Sequence, residues 1–217
     1  EKVTIVPHGN YIDFIDNEIS KKQAIEKLGL TGEGPFLLFW GQIKRAKGLD
    51  ILLDALPAVI REMPSLQLII AGKVWKDDFS KYQRQIKKLG LAENTITHAQ
   101  YIPDELTAYY FKAAELIVLP YRKVYQSGVL LMAMSYRRPA VVSDLDGMTE
   151  IIRDNQNGFV FLNGDATDLA QTLLQLLSDR KRLEEVAEAG YTTAAANHDW
   201  NAIGEKTAML YRECCGI

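Results

Sequence analysis

The sequence lacks the features that mark several common classes of protein. Its 217 residues include only two cysteines, Cys214 and Cys215, whose adjacency rules out a disulfide framework. No apolar run reaches the roughly 20 residues of a membrane-spanning helix. A formal net charge of -3 gives no reason to expect nucleic-acid binding. We therefore expect a cytoplasmic protein, either free or peripheral at the inner face of a membrane.

Several motifs of phosphate-binding enzymes are also missing. No GxGxxG follows the first predicted strand, which argues against a nicotinamide or flavin site, and no GxxxxGK[ST] marks a P-loop NTPase. The three histidines are scattered and do not have the spacing of metal ligands. Asp144, Asp146 and Glu150 lie close enough to bind a cation, but capping and helix-start charge explain them better. We expect neither a metal nor a cofactor.

What the chain does contain is an alternation of short apolar strands and helices. The strands carry apolar residues without a period of two, so both of their faces should be buried. This pattern predicts an α/β fold: a Rossmann-like, doubly wound and mainly parallel six-stranded sheet. Residues 16–217 would form one domain that ends in two further helices. The predicted strands are 36–40, 66–71, 95–98, 116–119, 140–142 and 158–162.

The first residues differ from the rest. A short strand over residues 3–6 and a turn at PHGN precede the first predicted helix, so residues 1–15 are predicted to be an interdomain linker. His8 lies in that turn and could be catalytic, but a lone histidine beside proline and glycine is more often a turn residue. We expect the chain to be a piece of a longer protein.

A basic loop, GQIKRAKG at residues 41–48, follows the first buried strand and precedes a helix. Loops in this position lie at the ligand-binding edge of a parallel sheet. Lys44 and Lys47 would act there as point charges on a phosphate. Surface loops are often rich in lysine, but the place of this one at a strand end favours a phosphate site.

Two more loops follow strands in the same way. Gly72-Lys73 ends the second strand. Gln126, Ser127 and Gly128 bring a carboxamide, a hydroxyl and a glycine to the start of an apolar helix, where free N–H groups and the helix dipole suit a phosphate. The alternative is that Ser127 is an ordinary helix cap. Loops 41–48, 72–75 and 120–128 are predicted to converge on one crevice.

The order and spacing of these segments resemble one enzyme family. PHG, GQIKRAKGLDILLDALPAVIREMPSLQLIIAGK, YIPDELTAYYFKAAELIVLPYR, QSGVLLMAMSYRRPAVVSD and NGFVF together resemble the family 4-type (group 1) glycosyltransferases. These are retaining enzymes of the GT-B fold, which consists of two facing Rossmann-like domains. The resemblance implies that this chain is the C-terminal half, which binds a nucleotide-sugar donor. A missing N-terminal domain would hold the acceptor.

The resemblance and the loop pattern together suggest individual roles. Lys47 and Lys44 would be catalytic, because they would offset the charge that grows on the leaving diphosphate. The backbone at Tyr101 and Ile102 would meet the base, and the loop at Ser127 would cradle the distal phosphate. The residues that we expect to contact the substrate are Gly41, Gln42, Gly72, Lys73, Tyr101, Ile102, Tyr125, Gln126, Ser127, Gly128, Val129 and Met132.

The sequence departs from the family pattern at the two glutamates of its E-x7-E motif. Val124 and Met132 occupy those positions and cannot hydrogen-bond a ribose or sugar hydroxyl, although a subset of the family has QSG in this loop. Gln42 replaces the usual arginine. Two alternatives therefore stay open. One is a catalytically silent nucleotide-binding module, and the other is a sugar-nucleotide epimerase or phosphorylase of the GT-B fold.

Overall fold

The protein is built on a parallel six-stranded sheet, seen in a computed structural model that describes residues 3–15, 18–32 and 34–216. The strand order β3-β2-β1-β4-β5-β6 confirms the predicted Rossmann-like α/β fold. The strands are β1 (Phe36–Trp40), β2 (Gln67–Ala71), β3 (Thr95–His98), β4 (Leu116–Leu119), β5 (Ala140–Ser143) and β6 (Phe159–Phe161).

Helices cover both faces of the sheet. One face carries α1, α4 and α5, the other carries α2, α3 and α7, and α8 contributes to both apolar clusters. The helices are α1 (Lys21–Leu28), α2 (Leu49–Glu62), α3 (Ser80–Lys88), α4 (Asp104–Ala113), α5 (Gly128–Ser135), α6 (Asp146–Thr149), α7 (Ala166–Leu177), α8 (Arg180–Asn197) and α9 (Trp200–Cys215). Within the described ranges, no helix is long and apolar enough to span a lipid bilayer.

The helices on both faces of the sheet explain why the strands are uninterrupted apolar runs in the sequence. In β1, Leu37 and Phe39 pack into the cluster under α2 and α7, whereas Phe36, Leu38 and Trp40 pack into the cluster under α4 and α5. Full burial of a large apolar side chain stabilises the fold by about 1.5–3 kcal/mol. A polar residue on either face of this strand would therefore cost stability, which is why no alternation appears.

The apolar helix predicted after the fourth strand is present as α5. Leu130, Leu131, Ala133 and Met134 are all buried, and the helix packs against α8 as well as the sheet. Because its neighbours hold it on several sides, the amino end of α5 is fixed relative to the strand ends. Pro57 lies inside α2, but the helix continues through it from Leu49 to Glu62 without a break.

The strand predicted for residues 3–6 is wrong. Residues 3–10 have no regular secondary structure, and the side chains of Val3 and Ile5 are 85% and 73% exposed. No neighbouring strand pairs with them in the described part of the chain. The segment is held further along instead, where Asn10 N donates to His198 O at 2.7 Å and Trp200 Nε1 donates to Asn10 O at 2.7 Å. Residues 1, 2, 16 and 17, which flank this segment, lie outside the described residues.

Candidate functional site

The sheet has its topological switch point between β1 and β4. The chain runs outward through β2 and β3 on one side and through β5 and β6 on the other, which leaves a crevice at the carboxyl ends of β1 and β4. The loops that leave these ends, 41–48 and 120–127, are joined by a hydrogen bond from Arg122 N to Ala46 O at 2.9 Å. Parallel-sheet proteins bind ligands at such a place.

Gly48 allows the two loops to meet. Its φ is +67°, and a Cβ at this position would overlap the carbonyl oxygen of Pro120. Gly72 allows a similar approach, since a Cβ there would overlap the carbonyl oxygen of Gly41 at a φ of +141°. Ile43 N also donates to Lys73 O at 2.9 Å. Loop 41–48 is therefore in direct contact with both of the other loops that the sequence places beside it.

Lys47 is a partly buried cation in the loop that follows β1. Its Nζ lies 3.6 Å from the centroid of the Tyr121 ring, a cation–π contact. Burial, followed by repulsion from Lys44, lowers the pKa of Lys47 to about 8. No ion pair in the described ranges includes Lys47. The positive charge is thus available to an anion.

Tyr121 itself is almost fully buried, at 1% exposure. Burial raises the pKa of its phenol, so the ring stays neutral and presents its face to Lys47. The Tyr121 hydroxyl lies near the Ser127 side chain but has no hydrogen bond of normal geometry with any described residue. The buried aromatic ring therefore restrains the position of the Lys47 ammonium group.

The amino end of α5 faces the same crevice. Ser127 caps the helix by accepting a hydrogen bond from Leu130 N at 3.3 Å, as the capping interpretation predicts. The N–H groups of Gly128 and Val129 donate to no group in the described part of the chain. Gly41 faces Val129, since a Cβ on Gly41 would lie 3.6 Å from Val129 Cγ2. The cap and an anion site are compatible, because two N–H groups remain free.

His8 and Tyr11 approach the start of α5, a contact that sequence reasoning missed. A Cβ on Gly128 would lie 3.0 Å from the Tyr11 hydroxyl and 3.6 Å from His8 Nε2. Tyr11 N donates to Ser135 Oγ at 3.0 Å, which aligns the residue along the helix. The only available signal was the PHG turn, and it does not reveal which helix the turn covers.

The remaining predicted residues surround this centre at different depths. Gly41 and Lys44 are half-buried. The exposed side chains are those of Gln42, Lys73, Tyr101, Tyr125 and Gln126. Ile102 is buried in the apolar core. The strand that precedes it, β3, ends at His98, whose carbonyl oxygen accepts a hydrogen bond from Gly72 N at 3.0 Å.

Val124 and Met132 pack against the apolar cluster under α4 and α5. Their side chains thus carry no polar group to the positions where the family pattern has glutamates.

Across the described ranges, no group of three His, Cys, Asp or Glu side chains could hold a metal ion. Asp144 instead accepts a hydrogen bond from Asn163 N at 2.7 Å, which ties β5 to the residues after β6.

Comparisons with known proteins identify the relatives of this chain. Residues 20–193 match the family model described as glycosyl transferases group 1. The chain is 29% identical over 199 residues to the alpha-D-kanosaminyltransferase of Streptomyces kanamyceticus, covering 91% of this chain and 50% of that protein. It is 30% identical over 211 residues to the GDP-mannose:glycolipid 4-beta-D-mannosyltransferase of Xanthomonas campestris pv. campestris, covering 96% and 55%.

Among solved structures, the fold is similar to that of HepE from Anabaena in complex with UDP-glucose, with a TM-score of 0.81 and 20% identity over 89% of this chain and 52% of that one. The chain spans about half the length of the curated relatives it matches. The family match covers most of the chain and the sheet has the topology that the family implies. The chain therefore belongs to the group 1 glycosyltransferase family.

Proposed function

We propose that this chain is the donor-binding domain of a retaining glycosyltransferase. The observation that carries the proposal is that two contacting loops carry Lys47, which has no ion pair in the described ranges, and the start of α5, where two N–H groups have no described acceptor. Both features attract phosphate. The substrate class is supported by two similar proteins, since HepE is described in complex with UDP-glucose and the Xanthomonas relative is named for GDP-mannose.

The proposed chemistry is electrostatic. In sugar transfer, the bond between the anomeric carbon and the diphosphate oxygen breaks and negative charge grows on the diphosphate, while an acceptor hydroxyl oxygen bonds to the anomeric carbon and its proton passes to the leaving diphosphate or to water. Lys47 and Lys44 would offset that charge, and the N–H groups of Gly128 and Val129 would donate to it. The cation is already positioned over Tyr121, so little reorganisation is needed when the charge develops. We propose that no metal ion is required.

The part of the site that would contact the sugar has apolar side chains, Val124 and Met132, where the family pattern has glutamates. Because Val124 and Met132 are packed against apolar residues, we propose that Gln126 and the neighbouring backbone supply the polar contacts to the sugar. Retention of configuration is part of the proposal. The coupling constant of the anomeric proton in the product, measured by NMR against that of the donor, would decide between retention and inversion.

The donor proposal is tested by calorimetry on the full chain with UDP, GDP and ADP, with their glucose or mannose conjugates, and with the free nucleosides. We expect weak binding of at least one diphosphate, much weaker binding of its nucleoside, and no change on addition of EDTA. Absence of binding by every diphosphate would overturn the proposal. An absolute requirement for Mg2+ would overturn the metal-free part.

We also propose that a second domain of the same protein holds the acceptor. The share of its relatives that the chain spans supports this, as do exposed apolar side chains on α9 and on the first segment, residues 3–10. Ile5, Met209 and Tyr211 are 73%, 59% and 69% exposed. Lys206 Nζ donates to Ile5 O at 2.8 Å, so that segment lies along α9. Sugar transfer to an acceptor by this chain alone would contradict the proposal.

We propose that the protein is located in the cytoplasm. It would be either free there or attached peripherally to the inner face of a membrane. Cys214 and Cys215 are exposed and free, which suits a reducing compartment. Cell fractionation distinguishes the cases. Recovery in the soluble fraction indicates a free protein, whereas recovery with membranes and release by salt indicates peripheral attachment. Recovery in an oxidising compartment would contradict both.

A further inference from the structure

A second cavity lies at the end of the sheet opposite the donor crevice. It has a volume of about 560 Å3. Pro35, Glu115 and Pro139 line it, and each directly precedes a strand, namely β1, β4 and β5. The cavity therefore opens at the amino ends of the strands, whereas the donor crevice lies at their carboxyl ends. A volume of this size is that of a small-molecule site.

The charged side chains around the cavity are paired, with one exception. Three cation–carboxylate pairs line it in the described part of the chain: Lys21 with Glu115, Arg137 with Glu188 at 2.8 Å, and Arg180 with Glu184 at 3.1 Å. Arg138 also lines the cavity and has no carboxylate partner in the same ranges. Among the described side chains that line the cavity, one positive charge is therefore left over.

Arg138 is only partly satisfied as a hydrogen-bond donor. Its Nη2 donates to Lys112 O at 3.2 Å. Its Nε is buried and has no acceptor among the described residues. Burial lowers the pKa of the Arg138 guanidinium, but a guanidinium remains protonated in proteins. A buried donor of a permanent cation that has no hydrogen-bond acceptor is an unusual feature in a folded protein.

Two of the paired cations, Lys21 and Arg180, lie close to Arg138. Lys21 has its pKa lowered by burial and then by the charges of Arg138 and Arg180, which shows that the three cations are close enough to repel one another. The rest of the lining is largely apolar, and includes Met63, Leu177 and Leu183. An anion bound here would relieve the repulsion and offset the Arg138 charge through the part of that side chain that lines the cavity.

We infer that this cavity is a second ligand site, which binds a small molecule with an anionic head group at Arg138 and a compact apolar body against Met63 and Leu183. The head group would be a phosphate monoester or a carboxylate, since both accept hydrogen bonds from a guanidinium in the same fork geometry. The inference does not rest on the proposed donor function, because the two sites share no residue.

Phenyl phosphate, benzoate and phenol are suitable probes, measured by calorimetry or NMR on the full chain. We expect one of the two anions to bind and phenol not to bind, and the stronger anion identifies the head-group class. Arg138→Gln should weaken binding of that anion by about tenfold or more, the scale of one charge-assisted contact. Arg84→Gln on α3, which lies outside the cavity, should leave it within about twofold.

Lys47→Ala separates this site from the donor crevice. Loss of probe binding in Lys47→Ala but not in Arg138→Gln would show that the probe occupies the crevice, and would overturn the inference. Failure of both anions to bind would overturn it too. UDP titrations of the same variants report on the donor proposal by itself, and Arg138→Gln should leave UDP affinity unchanged.

Arg138→Gln could also destabilise the fold, since Arg138 bonds to the end of α4. If this variant does not fold, amide shift mapping on the unaltered protein decides the matter. Shifts at Met63, Leu183 and Ala187 on addition of the anion support the site. Shifts confined to residues 41–48 and 127–129 overturn it.

Discussion

Lys47 Nζ lies 3.6 Å from the centroid of the Tyr121 ring, across the crevice between the loops that follow β1 and β4. The ring is buried and cannot move away, so the long lysine side chain is restrained before any ligand arrives. Restraint of this kind lowers the ordering cost of binding an anion. The Tyr121 hydroxyl in turn lies near the side chain of Ser127, which caps α5.

Replacement of Lys47 by alanine should weaken binding of UDP far more than binding of uridine. The lost contact is charge-assisted and is worth about 1.5–3 kcal/mol. Calorimetry with both ligands measures the difference. Lys88→Ala is the control, because Lys88 is an exposed lysine at the end of α3. Equal losses for UDP and uridine would show that Lys47 is not a phosphate contact.

The affinity for UDP should fall as the pH rises through about 8. Lys47 has a pKa of about 8 in the folded chain, below its ordinary value of 10.5, so its charge is lost there while the diphosphate stays ionised. Lys47→Arg should bind UDP with little change between about pH 7 and pH 9.5, because guanidinium keeps its proton. A pH dependence that persists in Lys47→Arg would assign the titration to another group.

The same pKa has a consequence for stability. The unfolded chain holds the Lys47 proton up to about pH 10.5, whereas the folded chain releases it near pH 8. Between these values the unfolded state binds more protons, so the Lys47 contribution to the free energy of unfolding should increase as the pH rises. Denaturant titrations at about pH 7.5 and pH 9.5 should therefore show a larger gain for the unaltered protein than for Lys47→Arg.

Gly48→Ala should destabilise the protein more than Gly29→Ala. Both glycines have a left-handed φ, at +67° and +62°, so both alanines carry a backbone cost of about 1–2 kcal/mol. A Cβ on Gly48 would in addition overlap the Pro120 carbonyl oxygen, whereas no atom lies within 4 Å of a Cβ on Gly29. We expect a further loss of about 1–3 kcal/mol for Gly48→Ala.

Chemical denaturation of the two variants measures that difference in the free energy of unfolding. Because the contact joins the loops after β1 and β4, Gly48→Ala should also weaken UDP binding. Equal destabilisation by the two alanines would mean that the loops can separate without a loss of stability. The close contact at Gly48 would then contribute nothing to the free energy of unfolding.

Gly128→Val should lower UDP affinity while the fold stays largely intact. The valine side chain would occupy the space beside the Tyr11 hydroxyl and His8, where a phosphate would approach the first N–H groups of α5. We expect a loss of about 1–2 kcal/mol, the scale of an anion at a partly buried helix start. Circular dichroism and UDP calorimetry test the two halves of the statement.

The matched control is Gly204→Val, because Gly204 is also a helical glycine but has no atom within 4 Å of its Cβ position. It should leave UDP affinity unchanged. Normal UDP binding by a folded Gly128→Val protein would mean that Ser127 is only a helix cap and that the diphosphate lies elsewhere.

The sheet could be predicted from the sequence because each strand is buried on both faces and is therefore an uninterrupted apolar run, as in β1 and β4. The same reasoning was wrong for residues 3–6, since Val3 and Ile5 have the composition of a strand but no partner to pair with. An apolar run shows what a segment favours, and a sheet also needs a neighbouring strand.

The meeting of the loops could be predicted as well, because the carboxyl ends of parallel strands share one edge of the sheet. The contact between Lys47 and Tyr121 and the approach of His8 and Tyr11 to Gly128 could not. These pairs are separated by dozens of residues or more, and their distances depend on how α5, α8 and the first segment pack together. No local pattern in the sequence records such packing.

The backbone junctions at Gly48 and Gly72 have a kinetic meaning. Each brings two loops together with no side chain between them, so neither loop can swing as a lid without breaking its contact with the other. A donor should therefore enter a crevice that is already shaped, at a rate set by diffusion and orientation.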